Sequence, residues 1–187
     1  MYQICVSAAA KGKSVSDGHE LAEAAGKAIA DAGHALMTGA TVGLPNVAAE
    51  SYKKHNGQMS LGISPASSKV EHVLKYRLPT EAYDVILYTG LNYVGRDALL
   101  ITSSDAVISI GGRIGTLHEF TIALETDKPI GFIQGAGGIS TEIVDIMHAA
   151  GMRADEDVIF GDTAEEVLEG LVKLLNKRNK KYAHLYK

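Results

Sequence analysis

Short runs rich in β-branched residues alternate with longer helical runs along the whole of this chain, and glycines gather where the first kind gives way to the second. YQICVSAA reads as a strand. It is followed by GHELAEAAGKAIADAG, with apolar residues at helical spacing, Asp17 at its start, Glu20 three residues on and Gly33 as its stop. HALMTGA, MSLGISPA, DVILYTG, AVISIGG, PIGFIQ and DVIFGD read as further strands. LPNVAAESYKKHNG, GRDALLITSS, GTLHEFTIALETD, a segment from about Ser140 to Ala150 and AEEVLEGLVKLLNK read as the helices between and after them. The polar stretch from Ser67 to Asp84 reads as a long loop with room for a short helix. Such an alternation with short connections closes a core as a parallel sheet, because each right-handed crossover lays a helix against the sheet. The expected fold is α/β: a doubly wound parallel sheet of about seven strands with helices on both faces.

At 187 residues the chain supports one full core, expected over residues 1–176, with a basic tail at 177–187. The formal net charge of -4 gives no reason to expect nucleic-acid binding, and the basic tail LNKRNKKYAHLYK reads as a solvated terminus. Cys5 is the sole cysteine, so neither an intramolecular disulfide nor a cysteine zinc cluster can form, and its apolar run YQICV suits a buried small hydrophobe. There is no signal-peptide pattern, and no apolar run of the roughly 18 residues that a membrane span needs. We expect a soluble cytoplasmic protein that engages no membrane.

Parallel sheets bind ligands beyond the carboxyl ends of their strands, where the strand order reverses. In AVISIGGRIGTLHEFTIAL a strand passes through Gly111, Gly112, Arg113 and Gly115 into a helix, leaving unpaired backbone N–H groups at the positive end of a helix dipole. A phosphate suits that turn, with Thr116 adding a hydroxyl and Arg113 a mobile cation. MTGATVGLPNVA repeats the design at the second strand, where Gly39, Thr41 and Gly43 are candidate nucleotide-binding residues. The alternative for one such turn is a tight connection alone; two argue for a nucleotide-sized ligand across the switch point.

Glu119 stands three residues past Thr116, near the dipole's positive end, and is expected to stay ionised beside the ligand. Arg96, a few residues past the strand end YTG, should open onto the same edge. SAAAKGKS has the spacing of a phosphate-binding P-loop with Ser7 in place of the leading glycine. In a P-loop the helix begins at the G-K-S, whereas the capping signals here point to Asp17; AVISIGG ends in glycine, and DVIFGD is followed at once by the last helix, so neither offers an obvious magnesium-binding aspartate. A P-loop enzyme is therefore discounted, although Lys13 could sit near a phosphate. HEFTI lacks the second histidine of the zinc motif H-E-x-x-H, and no other pair of the seven histidines has ligand spacing, so no metal is expected.

These residues carry a resemblance. Gly-Gly-x-x-Gly-Thr-Leu-x-Glu after a strand, an arginine some twenty residues earlier and an upstream strand-glycine turn with V-G-L resemble the LOG (Lonely Guy) family, over about residues 1 to 175. The resemblance implies a Rossmann-like nucleotide-binding fold, in a superfamily that also contains molybdenum cofactor carrier proteins. LOG enzymes are phosphoribohydrolases that release the base and ribose 5-phosphate from nucleoside 5′-monophosphates. Against their motif P-G-G-x-G-T-x-x-E, this chain has Gly111 at the proline, Gly112 at the first glycine and Arg113 at the second. Of their M-H-x-R-K segment, NYVGRD keeps Arg96 and lacks the flanking histidine and lysine. These departures match the branch that holds the cofactor carriers.

By resemblance the turn at residues 111 to 116 holds the 5′-phosphate, Glu119 faces the ribose as a catalytic carboxylate, and Arg96 is a catalytic residue that orients substrate. A purine-like base would lie toward the first two strand ends, and the hydrolysis uses no cofactor. The alternative is a non-catalytic carrier or sensor of a nucleotide or of molybdenum cofactor. Lysine decarboxylation, a label often given to the family, would need pyridoxal phosphate on a Schiff-base lysine, and no lysine lies in or beside the turn at 111 to 116. A homo-oligomer, dimer or tetramer, is expected by resemblance.

Overall fold

The computed structural model describes residues 1–152 and 157–186. Seven parallel strands form one sheet: β1 (Gln3–Ala8), β2 (Ala35–Thr38), β3 (Ser60–Ser64), β4 (Val85–Tyr88), β5 (Ala106–Ile110), β6 (Ile130–Ile133) and β7 (Val158–Gly161), in the order β4-β3-β2-β1-β5-β6-β7. The chain winds outward from β1 to one edge, returns to the centre at β5, and winds outward to the other. The order therefore reverses between β1 and β5, whose register sets Ser7 beside Ser109 and Ala8 beside Ile110. These central strands are covered on both faces, which is why ICVSA and AVISI show no polar alternation. At the edge, β4 alternates between exposed and half-buried residues.

The helices are α1 (Lys13–Asp17), α2 (His19–Asp31), α3 (Leu44–Lys54), α4 (Asn92–Ser103), α5 (Ile114–Glu125), α6 (Ile143–Ala149) and α7 (Ala164–Arg178). Two cores lie on opposite faces of the sheet. Ala25, Ile29 and Ala48 of α2 and α3 join Val167 and Leu171 of α7 over Ile4, Val6, Ile108 and Ile110. On the other face Leu100, Phe120 and Met147 of α4, α5 and α6 meet Cys5, Val107 and Phe132. The fold is thus the doubly wound, Rossmann-like α/β sheet that the alternation implies. No helix among the described residues is long and apolar enough to cross a membrane.

Several boundaries differ from the sequence expectation. Asp17 does not cap α2: a separate short helix starts at Lys13, directly after Gly12, and Gly18 separates it from α2. The helix start that argued against a P-loop therefore does fall at the G-K-S; the argument that remains is that Asp162, the aspartate directly after a strand end, follows the edge strand β7, three strands from β1. Capping signals fail here because Gly12, at φ 92°, turns the chain with its backbone alone. The stop at Gly33 is as expected, a Schellman ending in which Gly33 N–H donates to Ala30 O at 2.9 Å and His34 N–H to Ile29 O at 3.1 Å. A single five-residue turn, Glu71–Lys75, occupies the long loop. The last helix runs past residue 176 to Arg178, which donates to Asp127 O at 2.7 Å and pairs with Asp157.

α2 and α3 approach so closely that a methyl at Gly26 would run into the carbonyl oxygen of Ala48. Helix propensity alone favours alanine there by about 1 kcal/mol. We expect instead that Gly26→Ala lowers unfolding free energy by about 1–3 kcal/mol, as overpacking does; denaturant titration of both proteins reads the sign.

Candidate ligand site at the strand switch

A cavity of about 230 Å³ opens at the carboxyl ends of β1 and β5, where the winding reverses. Its walls come from four directions. Ser7 and the turn to Lys11 follow from β1, Gly39 and Thr41 from β2, Tyr93, Arg96 and Asp97 from α4, and Arg113, Gly115, Thr116 and Glu119 from the start of α5. Of the residues that the sequence singled out, these include Arg96, Glu119, Gly39, Thr41, Arg113, Gly115 and Thr116.

Gly43, Gly111 and Gly112 stand behind the walls and shape them. Gly43, at φ 80°, lets the turn after β2 press on Ala9 and Ala10. Gly111 and Gly112, at φ 60° and 98°, make the turn out of β5. That turn is tied from outside the cavity: Ser140 Oγ donates to Gly111 O at 2.7 Å and Ile139 N–H to Gly112 O at 2.9 Å. No side chain caps α5, whose first backbone bond is Leu117 N–H to Arg113 O at 2.9 Å. The N–H groups of Ile114, Gly115 and Thr116 are left to a ligand or solvent. The lysine on the wall is Lys11, exposed at the rim opposite the exposed Arg113; Lys13 is not part of it.

The floor is charged and buried. Arg96 is 4% exposed, and among the described residues its guanidinium makes no hydrogen bond to the protein. Nε lies 3.3 Å from Asp97 Oδ1, within ion-pair range but without hydrogen-bond alignment, and the charge sits 5.8 Å from the Tyr93 ring centroid. The guanidinium rests on Gly39, where a Cβ would overlap Nη1. The glycine that the sequence suggested for close approach of a phosphate is therefore also the seat of Arg96. A guanidinium this little exposed, with Nε buried and unmatched, favours an anionic acceptor in the cavity.

Glu119 is equally buried and accepts a hydrogen bond from Ser7 Oγ. Burial pushes its carboxyl from an ordinary 4.5 up to about 7; Asp97 adds to the rise, while Arg96, the Ser7 hydroxyl and His118 oppose it. This corrects the expectation of a plainly ionised carboxylate. The nearby arginine acts in the expected direction, but loss of hydration outweighs it; Glu119 lies past the first turn of α5, where the dipole acts.

Sequence reasoning missed Ser7, Asp97 and His118. His118 Nδ1 lies 3.0 Å from Asp97 Oδ2, so Asp97 faces two basic groups. Ser7 carried a signal as the polar residue in an otherwise apolar central strand. Asp97 carried one as the neighbour of Arg96, which suggested a surface pair where the structure has a buried one; its pairing with His118 carried none, because that joins residues 21 apart on two different helices.

The model of the SLOG cluster4 family matches residues 1–168. The protein TM1055 has a similar structure, with TM-score 0.79 at 23% identity over 92% of this chain and 99% of that one. The molybdenum cofactor carrier protein MCP of Chlamydomonas reinhardtii gives 0.73 at 24% identity, over 93% of this chain and 98% of the carrier. The molybdenum cofactor binding protein of the phototrophic bacterium Rippkaea orientalis gives 0.70 at 25% identity, over 94% and 96%.

The buried carboxyl ties stability to pH. Its folded pKa of about 7 lies above the unfolded 4.5, so the protonated form stabilises the fold fully below 4.5, and that contribution is lost as pH rises through 7. The difference between pH 4.5 and pH 8 is about 3 kcal/mol at most. Glu119→Gln should remove this slope, so that the variant gains on the parent as pH rises; paired melting curves at pH 5, 6, 7 and 8 test it, and parallel pH dependences of the two proteins would contradict it.

Proposed function

This chain belongs to the SLOG cluster4 family, and we propose that its cavity binds the phosphate of a nucleotide-like ligand and hydrolyses the N-glycosidic bond of a nucleoside 5′-monophosphate. The observation that carries this reading is the buried pair in one cavity: Arg96, which donates no hydrogen bond to the protein among the described residues, and Glu119, with a carboxyl pushed up to about 7.

The 5′-phosphate takes the free N–H groups at the start of α5, with Arg113 and Lys11 at the rim. Arg96 orients the ligand from below. As the C1′–N bond lengthens, its electron pair leaves with the base, which picks up a proton, and positive charge grows on the ribose ring. Ionised Glu119 faces that charge and accepts the proton of the water whose oxygen forms the new bond at C1′. A carboxyl near 7 suits this exchange, being ionised often enough to act and basic enough to take a proton. The products are free base and ribose 5-phosphate.

A second reading, a carrier that binds a nucleotide or the phosphate of molybdenum cofactor without reaction, draws on a different observation. Arg96 already faces Asp97, and Glu119 already accepts from Ser7, as in a preformed binding floor. The names of the Chlamydomonas and Rippkaea proteins lend it support.

Base release from a panel of nucleoside 5′-monophosphates separates the two. For a hydrolase, Glu119→Gln reduces kcat by about 100-fold or more, and kcat/KM of the parent falls as pH drops below about 7, where the carboxylate takes up its proton. Base release by Glu119→Gln as fast as by the parent would falsify the mechanism. No release from any member, with a nucleotide or phosphorylated pterin still raising the melting temperature, assigns the cavity to a carrier.

A further inference from the structure

The proposed chemistry leaves Asp97, on the cavity wall, and His118, behind it, without a part. Asp97 is 5% exposed and has one carboxylate oxygen 3.3 Å from Arg96 Nε and the other 3.0 Å from His118 Nδ1. Arg96 and Asp97 are successive on α4, and His118 and Glu119 are successive on α5, where neighbouring side chains point about 100° apart. Arg96 and Glu119 both line the cavity. His118 lies outside it, 36% exposed, on the far oxygen of Asp97.

An arginine without a hydrogen bond to the protein can turn about its terminal torsions. Here the guanidinium has Gly39 beneath it, Tyr93 beside it and the Asp97 carboxylate at Nε. Asp97 has rotamers of its own, and a hydrogen bond from His118 to its second oxygen fixes the plane of the carboxylate.

We propose that Asp97 is a positioning residue that presents Arg96 to an anionic ligand, and that His118 holds Asp97 in place for it. This rests on the reading of the cavity as an anion site. It adds what the sequence resemblance does not contain: NYVGRD has an aspartate where the LOG segment has a lysine after its arginine.

Two roles for Asp97 predict opposite signs. If it only neutralised Arg96, removing its charge would leave a stronger cation in the cavity and tighten anion binding. If it positions Arg96, removal loosens the guanidinium and weakens binding. Inorganic sulfate is the probe, since its charge is constant near neutral pH, and calorimetric titration of the full chain reads its affinity. We expect Asp97→Asn to weaken sulfate binding about tenfold, because the ion pair that orients Arg96 loses its charge. His118→Leu should weaken it several-fold, while His118→Gln, which keeps a donor, should stay near the parent.

Equal or tighter sulfate binding by Asp97→Asn overturns the positioning role, and equal losses in His118→Gln and His118→Leu overturn the part given to His118. Should Asp97→Asn not fold, as circular dichroism would reveal, the two His118 variants decide alone, because that side chain is partly exposed. A parent chain that binds neither sulfate nor any nucleotide overturns the anion reading, and the positioning role with it; sulfate binding by the parent without a response to the variants overturns the positioning role only.

Discussion

Placing a guanidinium and two carboxyl groups out of water at one spot is the constraint around which the rest of the site is arranged. Each of Arg96, Asp97 and Glu119 is less than a tenth exposed. Hydration lost at such depth has to be replaced by ion pairing, hydrogen bonding or a change of protonation. All three occur: Arg96 pairs with Asp97, Ser7 donates to Glu119, and the Glu119 carboxyl shifts toward its neutral form. The replacement is incomplete at Arg96, whose buried Nε has no hydrogen-bond partner among the described residues.

The backbone makes this arrangement reachable. Arg96 is on α4, which follows the edge strand β4, yet its guanidinium reaches Gly39 at the end of β2. It does so because α4 crosses back over β3, β2 and β1 on its way to β5, and because position 39 has no side chain. On the other wall, the turn after β5 is held open by the segment after β6, through Ile139 and Ser140. The glycines of this protein thus divide into those that admit a neighbouring residue, such as Gly39 and Gly26, and those that turn the chain, such as Gly111 and Gly112.

The position of α5 gives the cavity two unlike ends. Uncapped N–H groups and exposed cations face an incoming ligand at the rim, where hydration is cheap to restore. The floor is formed by buried side chains, so a proton held by Glu119 there is governed by burial and by its immediate neighbours.

The sequence by itself determined the sheet. Alternating strand and helix periods, with buried apolar strands such as ICVSA and AVISI, leave a doubly wound parallel arrangement as the way to cover both faces, and glycines at strand ends mark the edge where ligands sit. It also located Arg96 and Glu119, since both follow strand ends and their types suit anion chemistry. It could not determine the start of α1, because Gly12 turns the chain without a capping side chain, nor the partner of Gly39, which is 57 residues away in sequence. Only the tertiary structure decided that Glu119 is poised near neutrality rather than fully ionised and that Asp97 stands between Arg96 and His118. Burial and contacts between α4 and α5 set both, and those are properties of how helices pack across a sheet rather than of spacing along the chain.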